Sequence, residues 1–336
     1  MRLLVTGGSG FLGRRVVAAA VARGDKVTGL ARSAAAAATL GGLGASVVRA
    51  DLDDAAGTRT AFASAGADAL LNVASLGFGH AGTIVEAARG AGLRRAVFVS
   101  TTAVTTTLNA PSKQVRLAAE ETIRASGLDW TIIRPTMIYG GPDDRNMCRL
   151  LALLRRSPVL PLPDGGRGLH QPVHVEDLAD VLLRAVESDV AVGRRYDIAG
   201  PRAQPLRQIV DEAAAALGRR VVCVPVPLGP AVRLAELAGR FAGPAQGSAP
   251  GAPRDSSPGP APGPRGGRWP DPRSGRRSGP RAQPRAGGGR RRRWISAEQI
   301  ARLAEDKAFS IEEAAADLGF APRSFADGIR AQAGSR

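Results

Sequence analysis

The chain has 336 residues, of which 44% are hydrophobic, and a formal net charge of +16. This length suffices for one large α/β domain or two smaller ones. Two cysteines, Cys148 and Cys223, are too few for a disulfide framework or a cysteine-based metal cage, so we expect a reducing compartment. There is no run of about twenty apolar residues, and glycine appears too early for a signal-peptide core, so we expect a cytoplasmic protein without a membrane span.

A strand followed by a glycine-rich turn is predicted at the start of the chain. Residues 2–6 form a short apolar run, and a helix is predicted over 11–23. Glycines at three-residue spacing permit a sharp turn, close approach of a pyrophosphate and tight packing of the helix on the sheet. The free N–H groups and the dipole at the helix N-terminus favour a diphosphate there. The dinucleotide-binding residues predicted in this turn are Gly7, Ser9, Gly10, Phe11, Leu12 and Gly13.

Strand-like and helix-like segments alternate along the chain after this turn. Further strands are predicted at 26–30, 45–50, 68–73, 95–100 and 130–134, and helices at 53–64, 82–90 and 112–126. This alternation indicates an α/β fold with a doubly wound parallel sheet covered by helices on both faces. Ligands of such sheets bind at the carboxyl ends of the strands, so the loops that follow the strands form the candidate site.

The loop after the second strand carries Arg32, nineteen residues beyond Gly13, and no acidic residue occupies positions 30–33. In dinucleotide-binding sheets an acidic residue near this point binds the ribose hydroxyls, whereas an arginine accommodates a 2′-phosphate. Arg32 therefore favours NADP(H) as the cofactor, while NAD(H) stays open. After the third strand, Asp51 or Asp53 is a candidate N-cap of the next helix.

Residues 6–13, TGGSGFLG, resemble the nucleotide-binding turn of the extended and atypical short-chain dehydrogenase/reductases, the NAD-dependent epimerase/dehydratase family. Residues 130–140, WTIIRPTMIYG, are similar to that family's sixth strand and Arg-Pro turn. Residues 158–179 are similar to the atypical branch that includes the NADPH-binding accessory subunit of respiratory complex I. The resemblance implies a Rossmann core over 1–140 and a small C-terminal substrate lobe formed by 141–240 and 294–330.

The resemblance also implies further contacts to a dinucleotide. Asp51 and Leu52 correspond to family residues beside the adenine ring, where the aspartate accepts a hydrogen bond from the adenine amino group. Val73 and Ala74 are small residues that would leave room for the cofactor ribose. The loop that begins at Pro135 corresponds to the loop beside the nicotinamide.

The family's catalytic Tyr-x-x-x-Lys pattern is absent from this chain. One alignment, set by a glutamate four residues further on, places Ser112 and Arg116 at the Tyr and Lys positions. The other alignment places Asn109 and Lys113 there. Neither supplies a tyrosine, which puts the family's hydride-transfer chemistry in question. A cation at Lys113 or Arg116 could still hydrogen-bond the nicotinamide ribose.

Three other hydroxyl groups are candidates for catalysis. Ser100 and Thr101 follow the fifth strand, where the family hydrogen-bonds its substrate, although a Ser/Thr run is equally typical of a polar loop. Tyr139, after the sixth strand, could replace the missing catalytic tyrosine by moving in from its loop.

The sequence therefore leaves two main hypotheses for function. The first is an NADP(H)-dependent oxidoreductase or epimerase-like enzyme acting on an unidentified small or nucleotide-linked substrate. The second is a non-catalytic NADP(H)-binding sensor or structural subunit. No metal is expected, because Pro172 lies between His170 and His174 and disrupts a helix that would pair them. The oligomeric state stays open.

Most of the positive charge lies in residues 241–293, which contain twelve arginines and two aspartates, a net charge of +10. The same segment holds twelve glycines and eleven prolines without hydrophobic periodicity, so we predict a disordered insertion. A basic arm for nucleic acid or an anionic membrane is one interpretation. Because Trp269 is its one interior aromatic residue, we favour an insertion without a nucleic-acid role.

Overall fold

The structure, a computed structural model, describes residues 1–107, 111–144, 146–227, 229–230, 233 and 302–334. The predicted insertion over 241–293 and the candidate Asn109 lie outside these residues. The strands of the described part are β1 (Arg2–Thr6), β2 (Lys26–Ala31), β3 (Ser46–Arg49), β4 (Ala69–Asn72), β5 (Arg95–Val99), β6 (Asp129–Pro135), β7 (Ile138–Tyr139), β8 (Val159–Pro163), β9 (Leu169–His170), β10 (Val173–His174), β11 (Arg194–Ile198), β12 (Gln204–Pro205) and β13 (Val222–Val226).

Helices alternate with these strands. Within the described residues they are α1 (Phe11–Ala22), α2 (Ala34–Gly42), α3 (Ala55–Ala65), α4 (Ala81–Gly90), α5 (Pro111–Arg124), α6 (Met147–Arg156), α7 (Val175–Glu187), α8 (Leu206–Ala216), α9 (Glu312–Leu318) and α10 (Phe325–Gly334). The searched part of the chain holds no helix that combines the length and apolar character needed to cross a membrane.

The main sheet has seven parallel strands in the order β11-β6-β5-β4-β1-β2-β3. The chain runs from β1 outwards to β2 and β3, then returns to add β4, β5 and β6 on the other side. A crevice therefore opens between the carboxyl ends of β1 and β4, where the winding direction reverses and ligands of such sheets bind. The predicted doubly wound Rossmann fold is confirmed.

Apolar side chains on the strands alternate between the two faces of the sheet. Leu3 and Val5 of β1 belong to the apolar layer under α1 and α7, whereas Leu4 belongs to the layer under α3, α4 and α5. All three are fully buried. Because successive side chains of a strand point to opposite faces, an unbroken apolar run is what a sheet covered on both sides requires.

Among residues 1–160, two helices and one helix cap differ from the predictions. Neither α2, whose N-cap Ser33 accepts from the Ala36 N–H, nor α6 was predicted. The predicted caps Asp51 and Asp53 are replaced by Asp54, which accepts from the first N–H groups of α3. Asp53 instead lies 2.8 Å from the His80 ring.

A third apolar cluster forms a smaller layer outside the main sheet, built by α6, α8, α10 and the parallel pair β8–β13. The strand β11 does not join this layer. It pairs with β6 in the main sheet, and α7 packs against α1. The sheet thus extends past the expected boundary at residue 140, because β11 covers the otherwise open edge of β6.

Replacing Gly13 by alanine should destabilise the fold. A Cβ at this position would lie 2.2 Å from the Gly7 carbonyl oxygen, so α1 must move away from β1. We expect a loss of about 1–3 kcal/mol in the free energy of unfolding, typical of overpacking. The control is Gly82→Ala in α4, where no heavy atom lies within 4 Å of the new Cβ. That change should be neutral or stabilise by up to about 1 kcal/mol. Urea denaturation measures the free energy of unfolding of both variants. Equal changes in the two variants would contradict the packing argument.

Candidate functional site

The turn after β1 brings three backbone segments into contact. Gly7 has φ +69°, and a Cβ there would lie 2.5 Å from the Ala74 nitrogen in the loop after β4. The Gly10 N–H donates to the Gly7 carbonyl at 3.0 Å, which closes the turn. Gly10 itself is exposed. The turn is therefore closed by a backbone hydrogen bond, and Gly10 presents no side chain to solvent.

The N-terminus of α1 is open to an anion. No described side chain caps it, and its first turn contains no acidic residue. The Leu12 side chain is buried in the core and the Phe11 side chain is partly buried, so both residues offer their N–H groups rather than their side chains. The first N–H groups of a helix lack intrahelical partners and carry its positive dipole end. A turn of this kind around Ser9 fits a diphosphate.

A buried hydrogen-bond network fixes the loop after β4 beside this turn. The Thr6 hydroxyl donates to the Asn72 amide oxygen at 2.5 Å, and the Asn72 amide nitrogen donates to the Ala74 carbonyl at 3.1 Å. The Val73 N–H donates to the Thr6 carbonyl at 3.0 Å. The predicted ribose-facing residues Val73 and Ala74 are therefore held against Gly7. Thr6 and Asn72 were not predicted as site residues, although both end neighbouring strands.

The predicted adenine and 2′-phosphate residues lie together at the ends of β2 and β3. Arg32 is 73% exposed, and its Nε lies 4.0 Å from the Asp51 carboxylate. A pair this exposed contributes little stability, so the guanidinium is available to another anion. Arg49 donates to the Arg32 carbonyl at 3.2 Å and adds a second positive charge. Leu52 is partly buried against the α3 side of the sheet.

A buried ion pair links the ends of β5 and β6 to α5. Both oxygens of Glu120 accept from Arg134, at 2.9 and 2.5 Å, and Glu120 is fully buried. The Ser100 hydroxyl donates to the same carboxylate at 2.6 Å. Ser100 therefore points inward to a structural partner, which weighs against the substrate contact predicted for it.

The loop that contains Thr101 is tied to Pro135, the last residue of β6. Thr101 Oγ1 accepts from the Ala103 N–H at 3.2 Å and begins a short 3-10 turn, so its own proton is not engaged by that bond. Thr102 donates to the Pro135 carbonyl at 3.3 Å. These contacts join the loop predicted to face substrate with the loop predicted to lie beside the nicotinamide.

Ser112 and Arg116 form a pair on α5. Arg116 Nη1 donates to the Ser112 hydroxyl oxygen at 2.7 Å. The guanidinium lies over Gly77, where a Cβ would be 3.0 Å from Nη2. Burial, and to a lesser degree the nearby charge of Arg302, lowers the pKa of Arg116. Lys113 turns elsewhere and donates to the Thr106 carbonyl at 2.6 Å. The structure thus brings together the residues of the alignment set by Glu120.

Tyr139 lies in the apolar cluster of the smaller layer. It is 1% exposed and packs edge-on against His174 at 5.2 Å between ring centroids, with Phe325 at 5.0 Å. A Cβ on Gly328 would lie 2.1 Å from its hydroxyl oxygen, so α10 seals it in. Burial raises the pKa of Tyr139 well above its usual value. These surroundings weigh against Tyr139 as the missing proton donor.

A segment near the C-terminus crosses the same edge of the sheet. Glu305 accepts from the hydroxyls of Thr106 and Thr107 at 2.7–3.1 Å and from the Thr107 N–H at 2.8 Å. The Leu303 carbonyl lies 3.0 Å from the His170 ring. His174 caps α7 instead of pairing with His170, and the searched residues contain no metal-binding cluster. Glu305 was not predicted as a site residue, because nearly 200 residues separate it from Thr107.

Residues 7–189 match the model of the NAD(P)H-binding family. A 4-hydroxy-2-methyl-3-oxo-4-farnesyl-3,4-dihydroquinoline-1-oxide ketoreductase of Stigmatella aurantiaca is 32% identical over 220 residues, 56% of this chain and 65% of that protein. The mitochondrial NADH dehydrogenase (ubiquinone) 1 alpha subcomplex subunit 9 of Arabidopsis thaliana is 32% identical over 108 residues, 31% of this chain and 26% of that protein.

Solved structures share the fold. A new type of NADPH-dependent quinone oxidoreductase from Escherichia coli superposes with a TM-score of 0.66, covering 97% of this chain and 98% of that chain at 18% identity. At this identity the likeness concerns the fold alone. The chain spans less than two thirds of the length of the Stigmatella and Arabidopsis relatives, so the activities in their names are not assigned to it.

Removing the charge of Glu120 should destabilise the site strongly. Glu120→Gln leaves the Arg134 guanidinium buried without its counter-ion, which typically costs about 3–5 kcal/mol. The matched control is Glu121→Gln, one residue along, where the carboxylate is 72% exposed and paired with Arg124. That exposed pair should contribute less than about 1 kcal/mol. Chemical denaturation of both variants measures the difference, and a loss for Glu120→Gln no larger than for Glu121→Gln would show that the buried pair is not needed.

Proposed function

Because the chain belongs to the NAD(P)H-binding family, we propose that it is an NADPH-dependent reductase of a conjugated carbonyl compound. The family agrees with the predicted resemblance to the atypical short-chain dehydrogenase/reductases. Family membership supports a nicotinamide dinucleotide as the cofactor. The choice of NADPH over NADH and the choice of substrate are our proposals. The observation that carries the proposal is the Ser112–Arg116 pair at the positions of the family's tyrosine and lysine.

The residues around the crevice fit such a dinucleotide. The N–H groups of Phe11 and Leu12 would hold the diphosphate, and a side chain at Gly10 would intrude on it. Asp51 and Leu52 would contact the adenine, and Arg32 would bind the 2′-phosphate. Further contacts are assigned to Gly7, Ser9, Gly13, Val73, Ala74, Lys113 and Pro135. When bound, the reduced cofactor supplies a hydride.

Ser112 would give its proton to the substrate oxygen. Because Arg116 donates to Ser112 Oγ, the hydroxyl hydrogen is directed to another acceptor, and the guanidinium charge favours negative charge developing nearby. An aliphatic hydroxyl is nevertheless a weaker acid than the phenol of tyrosine, whose pKa is about 10. The pair therefore suits a carbonyl whose reduced oxygen is already stable as an anion, such as one conjugated to a quinonoid ring. The Stigmatella relative is named for reduction of a keto group on a dihydroquinoline ring, which agrees with this class.

A non-catalytic role is the second candidate. Ser100 is bound to Glu120 and Tyr139 is sealed in the core, so two of the candidate hydroxyls face away from a substrate. The similarity to a respiratory subunit of Arabidopsis is compatible with a sensor or structural part. We place this role second because a serine and an arginine that hydrogen-bond to each other occupy the positions of the family's catalytic tyrosine and lysine.

Cofactor preference should depend on Arg32. A charge-assisted hydrogen bond to the 2′-phosphate contributes about 1.5–3 kcal/mol, so Arg32→Ala should weaken NADP(H) by about ten- to a hundredfold and spare NAD(H). The control is Arg94→Ala, an 87% exposed arginine just before β5, at the amino edge of the sheet. Fluorescence titration with NADPH and NADH measures both affinities. Equal losses for the two cofactors, or a wild type that prefers NADH, would contradict the assignment.

Turnover should depend on the stability of the reduced substrate. Without a phenolic acid, NADPH oxidation with cyclohexanone should be about a hundredfold slower than with menadione, since acid assistance typically contributes about a hundred- to ten-thousandfold. Ser112→Ala should lower kcat/KM for menadione by about tenfold or more. Tyr139→Phe should keep the wild-type rate, because the lost hydroxyl lies in the core. The assay follows NADPH absorbance above the protein-free rate. Activity abolished by Tyr139→Phe would move the catalytic role to Tyr139 and reject the pair.

A further inference from the structure

Three charged side chains meet beside the turn assigned to the diphosphate. Arg14 and Arg15 lie in the second turn of α1, where side chains lean towards the helix N-terminus. Arg15 donates to both oxygens of Asp143, at 2.8 and 2.6 Å. Arg14 contacts the same carboxylate. One carboxylate therefore serves two guanidinium groups, and the cluster keeps one net positive charge next to the N-terminus of α1.

Of the two arginines, Arg14 has bonding capacity left over. Arg15 is bidentate to Asp143, donates to the Phe11 carbonyl at 3.2 Å and lies 4.9 Å from the centre of the Phe11 ring. Arg14 Nε, in contrast, is buried and finds no hydrogen-bond partner among the described residues. A buried donor without a partner is costly, so a ligand that supplies an acceptor there gains more than one at an exposed arginine.

Asp143 comes from the loop after β7, on the side of the smaller layer. Gly140 and Gly141 adopt φ +115° and +93°, and a Cβ on Gly141 would lie 2.5 Å from Arg15 Nη2. The loop is thus shaped to bring the carboxylate onto α1. Burial alone would raise the pKa of Asp143, but hydrogen bonds from Arg15 and the charges of both arginines lower it overall. Asp143 is therefore an anion held close to the place assigned to another anion.

We propose that Arg14 is a ligand of the cofactor diphosphate, and that Asp143 holds Arg14 in the ligand-free chain and competes with the diphosphate for it. This rests on the proposed dinucleotide site. The diphosphate is common to NADP(H) and NAD(H), whereas the 2′-phosphate is not. Arg14 should therefore act on both cofactors equally, in contrast to Arg32, and loss of the Asp143 charge should act in the opposite direction to loss of Arg14.

The test measures dissociation constants for NADPH and NADH by fluorescence titration at fixed ionic strength. Arg14→Gln should weaken both cofactors about tenfold, the loss expected for one charge-assisted hydrogen bond. Arg14→Lys, which keeps the charge, should recover part of that loss. Asp143→Asn should tighten both cofactors by about threefold, because it removes a like charge beside the diphosphate. The control is Arg23→Gln, at the other end of α1 and paired with Asp25, which should leave both constants unchanged.

The possible failures are distinguishable. Thermal melting of each variant without cofactor shows whether it is folded, and Asp143→Ala provides a second removal of the carboxylate. Unchanged affinities in Arg14→Gln would overturn the assignment of Arg14, and weaker binding in both Asp143 variants would overturn the competition. An Arg14 effect confined to NADPH would place Arg14 at the 2′-phosphate and also overturn the proposal. Absence of saturable dinucleotide binding by the wild type would instead reject the proposed function itself.

Discussion

The close approach of α1 to β1 is the constraint on which the rest of the site depends. Gly13 lets the helix backbone lie against the Gly7 carbonyl, at a distance that no Cβ could share. This contact aims the uncapped first turn of α1 into the crevice between β1 and β4. The Thr6–Asn72 hydrogen bond then holds the loop after β4 against the same turn. The geometry of the proposed anion site is thus set by backbone packing, and its polarity by the helix dipole.

A second constraint acts on the opposite side of the crevice. The buried Glu120–Arg134 pair ties α5 to the end of β6, and it takes up Ser100 at the end of β5. With Glu120 fixed inward, Ser112 and Arg116 lie about two and one helical turns before it on α5, on the side of the carboxyl end of β5. The buried pair therefore acts as a positioning device for the residues that we assign to proton transfer. Burying both charges costs desolvation free energy that offsets much of their attraction. We therefore attribute to the pair the selection of one position for α5 more than a gain in stability.

The sequence predicted the sheet and the glycine turn well because both rest on local signals. Apolar runs of the right length mark β1 to β6. The spacing of Gly7, Gly10 and Gly13 between a strand and a helix is typical of a tight dinucleotide-binding turn. The pairing of β11 with β6 depends on tertiary contacts, which a single sequence does not show. The cap at Asp54 required a choice among adjacent aspartates, and the sequence pattern does not distinguish them.

The site was less accessible to prediction than the fold. Residues far apart in sequence, such as Arg14 with Asp143 and Thr106 with Glu305, meet only because the smaller layer returns over the sheet. Tyr139 looked available on a loop, yet α10 covers it through Gly328. Ser100 was predicted to contact substrate, but its hydroxyl donates to the buried carboxylate of Glu120. In each case a long-range partner decided the role, and no local motif carries that information.

Amide hydrogen exchange tests the central claim most directly, namely that the dinucleotide binds with its diphosphate on the N-terminus of α1. The N–H groups of Phe11 and Leu12 have no described capping side chain, so they should exchange readily in the free protein. Saturation with NADP⁺ should slow exchange in a peptide covering residues 7–14, with little change in a peptide covering α8 in the smaller layer. Unchanged exchange at residues 7–14 under saturating NADP⁺ would contradict the account.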